Sequence, residues 1–452
     1  MLPFSENRIF ASLLPLLLAG CSFQASGPKT PNTYPIGLNN PPIRVLLINS
    51  VPEITIVANA NWKVETLEGN PVAELPRGTT ATISLKEGRI ILESAGEKSR
   101  HAAIGLESAA PGGVLEIKKV PYGVGWWWAG TQDRTYEGRI EVRPGAKGFL
   151  EVIVVLPMED YLPGVVPTEI GPTSPQEALR AQAVAARSEA LMALITRKYA
   201  GVNYDIGSDV ESQAFSGNTK RTAQSDESVR ATRGLALLYE GRPISAFYAS
   251  SCGGHTEDIR NVWPNRAGEK AYWDTAVFDG DEKFNYDLTR EDDLRRWLTD
   301  DPKVFCNPSK FEVPNWASKN FRWEREVTAE ELSKWVASHK DIGRVVAIRA
   351  VKRGPSGRMI EAEFKGEKDS FITGPELAIR QVLEPPLKSA AFVVDTQGPA
   401  ERPERFILRG AGWGHGVGMC QTGAIAMAHA GKTFREILAH YYPSSRVETV
   451  YP

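Results

Sequence analysis

The hydrophobic pattern divides the chain into an alternating half and a helical half. From residue 43 to 155 short apolar runs rich in Val and Ile recur at 44–48, 53–57, 80–85, 89–92, 114–117, 139–142 and 150–156, separated by Gly, Asn or Pro. Short β-branched runs bounded by turn residues predict strands. After residue 157 the period lengthens. Residues 158–170 are punctuated by Pro163 and Pro167 and read as loop and short extended segments. Ser174, Pro175 and Glu177 then form a capping-box signature with Pro at the first helical position. They predict an Ala-rich helix from Pro175 to about Tyr199, ended by Gly201. A helix near 224–232 and a hairpin of 235–239 with 244–248, turned at Glu240-Gly241-Arg242, follow. Helices are expected at 290–299, 329–338, 374–383, 420–430 and 433–441, and further strands at 345–351, 359–364 and 406–408. The predicted class is α+β: a mixed β-rich core with packed helices, made of an N-terminal β region and a catalytic α+β region.

The first residues change the picture. Residues 9–18 form an apolar run behind Arg8. This is well short of the about 20 residues that span a bilayer, and suits a secretory leader. Leu18-Ala19-Gly20-Cys21 resembles a bacterial lipobox, so a leader over 1–20 and a lipidated Cys21 anchoring an exported protein to a membrane are expected. Residues 21–40, rich in Ser, Gly, Pro, Thr and Asn, read as a flexible tether. The remainder divides into a β-rich region 41–156, a catalytic core 157–280, an insertion 281–342 and a C-terminal part of the core 343–452.

Net charge is −2, and without a polybasic stretch nucleic acid is excluded as a partner. Beyond Cys21 there are three cysteines, Cys252, Cys306 and Cys420, so in an oxidising compartment two could pair and leave one free. Cys252 with His255, and Cys420 with His415, are candidate metal ligands, but their spacing matches no closed zinc motif. No metal or cofactor is assigned. Trp126-Trp127-Trp128 has two readings, a packed part of the β core or an aromatic platform for sugar rings. Three consecutive indoles on a strand cannot all face inward, so at least one should be exposed.

Three blocks carry the chemistry. The first is Tyr161-Leu162-x-Gly164-Val165-Val166-Pro167-x-Glu169 with the run from Glu177 to Arg187. The second is Tyr248-x-x-Ser251-x-Gly253-Gly254-x-Thr256-Glu257. The third is Gly412-Trp413-Gly414-His415-Gly416-Val417-Gly418-Met419-x-Gln421-x-Gly423-Ala424. In this order they resemble the sporulation stage II protein D and amidase-enhancer family. Departures are Cys420 where Ser is usual, Ser188-Glu189 where Thr-Tyr is common, Arg180 where Lys is common, and a long insertion after Trp273.

The resemblance implies a lytic transglycosylase acting on peptidoglycan glycan strands, with Glu169 as the single general acid and base. Its carboxyl would need a raised pKa, by burial against Val165, Val166 and Ile170, opposing the next helix's N-terminus and Arg187. The plainer alternative makes Glu169 a helix cap or a partner of Arg187. Arg180 and Arg187, two turns apart on one face, are expected either to bind substrate or to form a solvated face. Tyr248 and His415 are expected to orient sugar, with backbone bonding the alternative for His415. A non-catalytic wall binder that stimulates a cell-wall amidase would use the same groove.

Overall fold

The computed structural model describes residues 39–452. The leader, Cys21 and nearly all of the tether lie outside the described residues. Within them no helix is long and apolar enough to cross a membrane. The fold is mixed α+β.

Alternation along the early strands builds two sheets over one core. Glu53–Ala58 alternates exposed or half-buried with buried positions, as expected when one face of a strand packs inward. A seven-stranded sheet runs in the order Ile206–Gly207, Pro42–Ile48, Leu150–Pro157, Arg139–Pro144, Ile104–Ser108, Trp62–Thr66, Pro71–Leu75. A six-stranded sheet runs Gly130–Tyr136, Leu115–Tyr122, Glu53–Ala58, Thr80–Lys86, Arg89–Ser94, Glu97–His101. Inward residues of both, among them Val45, Ile56, Ile83 and Val152, join one core.

The loop expected at 158–170 is instead helix α1, Met158–Ile170, with Pro163 and Pro167 inside it. Each proline removes one intrahelical donor, yet ten of the thirteen residues are buried, and packing overrides the local preference. Gly164 is required at the centre of α1. A Cβ there would lie 2.5 Å from the Phe215 ring and 2.7 Å from the Gly217 carbonyl.

Helix α2 runs Gln176–Thr196 with Pro175 as its N-cap. The expected capping box is absent because its members are otherwise engaged. Ser174 Oγ donates to Ile170 O at 2.6 Å, and Glu177 holds Arg180 at 2.6 Å and the Phe434 amide at 2.7 Å. The helix stops at Arg197, in the left-handed region with φ 50°, four residues before Gly201. Its small residues serve two cores: Ala178, Ala183, Ala186 and Ala190 belong to the first, Ala181, Val184 and Ala185 to the second.

The second core also gathers Trp297, Phe305, Met419 and Tyr441. The third lies between two three-stranded sheets and includes Val327, Leu332, Phe364 and Leu408. Residues 281–342 are divided between these two cores: Leu294 and Cys306 join the second, Val336 and Ile342 the third. The strand Leu235–Tyr239 pairs across the Glu240-Gly241 turn with the two residues Arg242–Pro243 rather than with the expected 244–248, and on its other edge with Arg446–Thr449. Tyr248–Ala249 leaves that hairpin and pairs in parallel with Met419–Cys420. That pairing joins the second and third motif blocks.

Candidate active site

Glu169 is the next-to-last residue of α1, and its side chain is partly exposed at a cleft of about 520 Å³. The Ala214 amide donates to its Oε1, and Tyr248 and Gln421 also hydrogen-bond the carboxylate. Burial nevertheless dominates and pushes the carboxyl up to about 7, against those three bonds and the charge of Lys220. The C-terminal end of α1 carries the negative pole of the helix dipole, which disfavours an anion there. Arg187, expected to oppose the shift, is engaged elsewhere.

The hydrogen-bond network around Glu169 is buried. Gln213 accepts from Tyr161 Oη at 3.1 Å and donates to Tyr248 Oη at 2.9 Å. With its acceptor side occupied, Tyr248 is left with its own proton to direct at Glu169. Gln421 is fixed from behind by Gln182, at 3.2 Å. His415 Nδ1 accepts from the Val417 amide at 3.0 Å, and the ring also bonds the backbone of Tyr248. Burial, with Arg358 and Arg380 nearby, pushes its pKa down to about 3, so it is neutral at physiological pH. His415 lines the cleft, but its bonds position Tyr248. The four glycines around it, Gly412, Gly414, Gly416 and Gly418, all have positive φ, as their loop requires.

The tryptophans form a wall. They lie in the turn between Leu115–Tyr122 and Gly130–Tyr136, where the indoles pack on one another outside the sheet core. Trp126 stacks on Trp128 at 4.8 Å, and Trp127 on Trp413 at 5.9 Å. Trp126, Trp128, Trp263 and Trp413 line the cleft, while Trp127 is exposed. Arg380 lies over the Trp126 ring at 5.3 Å and Lys388 over Trp413 at 5.6 Å.

The cleft thus unites Glu169, Tyr248 and His415 but not the two arginines singled out with them. Arg187 is fully buried and donates to both oxygens of Glu159 at 2.8 Å. Burial alone would raise the Glu159 carboxyl, but Arg187, Tyr451 and the Gly234 amide hold it below its usual value. Arg180 is held by Glu177 and lines no part of the cleft. Basic groups reach the cleft from Lys198, Arg266 and Arg380. Sequence reasoning did not single out Glu189, Arg380 or Trp263 as site residues. Gln421 and Trp413 stood in the third motif block, which was the available signal. His255 bonds Thr256 O at 2.8 Å. The three described cysteines, for which pairing was one of the open readings, are buried and free.

A family model described as stage II sporulation protein matches residues 146–239, which include α1 and α2. A domain of unknown function, DUF8618, matches residues 257–418. An uncharacterized protein of Brachyspira hyodysenteriae (strain ATCC 49526 / WA1) is 26% identical over 295 residues, covering 64% of this chain and 66% of that one. The amidase enhancer of Bacillus subtilis (strain 168) is 26% identical over 301 residues, 63% of this chain and 40% of its own length. Stage II sporulation protein D of Bacillus amyloliquefaciens is 28% identical over 300 residues, covering 64% and 73%. The chain therefore spans less than two thirds of the length of the first two relatives. The block that carries Glu169 lies inside the stretch matched by the stage II sporulation protein model, and the chain is similar to stage II sporulation protein D and to the amidase enhancer.

Proposed function

We propose that this protein remodels the cell wall as a lytic transglycosylase, cleaving peptidoglycan between N-acetylmuramic acid and N-acetylglucosamine. The observation that carries the reading is Glu169, a carboxyl protonated in part at neutral pH in a tryptophan-walled cleft. The protonated acid donates to the leaving glycosidic oxygen. The resulting carboxylate then takes the proton of the muramyl C6 hydroxyl as that oxygen closes on the anomeric carbon. An internal nucleophile removes the need for the second carboxylate that ordinary glycosidases use. Tyr248 and Gln421 hold the acid in place, the indoles offer flat apolar faces to sugar rings, and Lys198 and Arg266 give the cleft basic groups for the carboxylates of wall peptides. A lipidated Cys21 would tether the cleft to an envelope membrane.

The test is digestion of purified glycan strands, with and without stem peptides, followed by mass spectrometry. Anhydro-muramyl ends are expected. Binding without products would favour the second reading, in which the same groove recruits or stimulates a wall amidase, as the name of the B. subtilis relative suggests. Glu189 offers a further distinction. It is buried in the same cleft, and desolvation raises its pKa. Were it a working second carboxylate, products would carry ordinary reducing ends.

Trp126→Ala and Trp128→Ala are each expected to raise the KM for glycan strands about tenfold, the loss typical when a buried aromatic anchor is truncated. kcat should change less, because neither ring bonds Glu169. Steady-state kinetics on soluble strands checks this, and an unchanged KM would remove the indoles from substrate binding.

A further inference from the structure

We infer that Cys252, Cys306, Cys420 and Asp279 form a closed structural site for a zinc-class divalent cation behind the cleft. Four separate segments supply one ligand atom each: the loop after Tyr248–Ala249, the stretch before residue 281, the segment after helix Glu291–Thr299, and the N-cap of helix Gln421–His429. All four atoms lie within 4.8 Å of one another. None of the four residues is more than 3% exposed.

The spacing fits a tetrahedral centre. Zn–S bonds of about 2.3 Å and Zn–O bonds of about 2.0 Å give S···S edges near 3.8 Å and S···O edges near 3.5 Å. Cys252 Sγ stands 3.7 Å from Cys306 Sγ and 3.3 Å from Asp279 Oδ2. A disulfide would need about 2.05 Å. Soft thiolates favour zinc over magnesium or calcium. A fully buried carboxylate is also costly without a compensating cation, and Asp279 has no Lys or Arg ion-pair partner among the described residues, with the His440 ring at 3.8 Å.

The surroundings suit ligands that are already oriented. Tyr441 Oη donates to Asp279 Oδ1 at 2.6 Å, leaving Oδ2 toward the thiols. Backbone amides point at sulfur: Gly254 N to Cys252 at 3.4 Å, Cys252 N and Gly423 N to Cys420 at 3.2 and 3.3 Å. Such outer contacts orient metal ligands and tune them. At Gly423 a Cβ would lie 2.9 Å from Asp279 Oδ1 and 2.0 Å from Tyr441 Oη, so only glycine leaves this shell intact. Binding releases the three thiol protons to solvent as three S–metal bonds and one O–metal bond form, with no change of oxidation state.

The ion would clamp the loops that furnish the cleft. Cys420 adjoins Gln421, and Ser251, next to Cys252, exchanges backbone bonds with Trp413 at 3.1 and 2.9 Å. The inference does not rest on glycan cleavage, since metal content reports on it directly. The full chain, expressed with zinc and purified without chelators, should carry about one zinc per chain by elemental mass spectrometry. Cobalt added to the metal-stripped, reduced protein should give thiolate charge-transfer absorption and intense tetrahedral d–d bands. Cys306→Ser and Asp279→Asn should weaken zinc binding at least about tenfold, while His255→Gln should retain it. If those variants fail to fold, the cobalt spectrum of the natural protein decides. Zinc far below stoichiometric together with no tetrahedral cobalt spectrum would overturn the site. So would a Cys252–Cys306 disulfide in a non-reducing peptide map of natively produced protein.

Discussion

Glu169→Gln is expected to slow release of anhydro-muropeptides by about 10²–10⁴-fold, the usual contribution of a positioned general acid and base. The same change is expected to stabilise the fold in alkaline buffer. The folded carboxyl titrates at about 7 rather than 4.5. Between those values the folded state binds more proton than the unfolded state, so stability falls as pH rises through this window. Above it the ionised, desolvated carboxylate costs about 3 kcal/mol. Glutamine cannot ionise, yet it keeps an oxygen for the Ala214 amide. Natural protein and variant should therefore melt alike at about pH 5, and the variant several degrees higher at about pH 8. On the proposed function, kcat/KM of the natural protein should decline as pH rises through about 7, where the acid loses its proton. Calorimetry at the two pH values tests the titration apart from the chemistry. Equal melting at alkaline pH would mean that burial does not control this carboxyl, and retained cleavage would remove Glu169 from catalysis.

Arg187→Met should destabilise the protein by about 3–5 kcal/mol, because it leaves the buried Glu159 carboxylate without its cation. Arg187 binds both Glu159 oxygens and the Leu235 carbonyl at 3.0 Å. Adding Glu159→Gln should recover much of the loss, since the uncompensated charge rather than the lost pair dominates the penalty. The Glu159 pKa is depressed in the folded state, so its contribution is present above 4.5 and lost as pH falls through the folded value. Denaturant titration of the single and double variants measures both effects. A single variant as stable as the natural protein would show that Glu159 finds other compensation.

The strand half of the fold was legible because alternation reports directly on one buried face, as in Glu53–Ala58. The first turns of the helical half were not. Pro163 and Pro167 argue locally against helix, and only the packing of Gly164 on Phe215 and Gly217 explains why α1 persists. Ser174 and Glu177 offered a sound cap, but partners distant in sequence took both side chains. Glu169, Tyr248 and His415 were visible through motif order. Arg187 was misassigned because helical spacing reveals a shared face but not what covers it. Its partner Glu159 is 28 residues earlier. Glu189 and Arg380 had no signal, since their roles depend on which loops converge. The grouping of Cys252, Cys306 and Cys420 was equally hidden, as their spacing along the chain says nothing of the distances between their sulfurs.

The pairing of Arg446–Thr449 with Leu235–Tyr239 bears on the order in which the molecule is made. Tyr451 Oη reaches Glu159, across 292 residues, and Val450 N bonds Gly234 O at 2.8 Å. Contacts closed over so long a stretch of chain form late. The sheets of the first half and the Glu159–Arg187 pair, 28 residues apart, can form early, but the bond from Tyr451 to Glu159 waits for residues 446–452. Helix α1 is thus fully covered only once the chain beyond both cleft loops is in place.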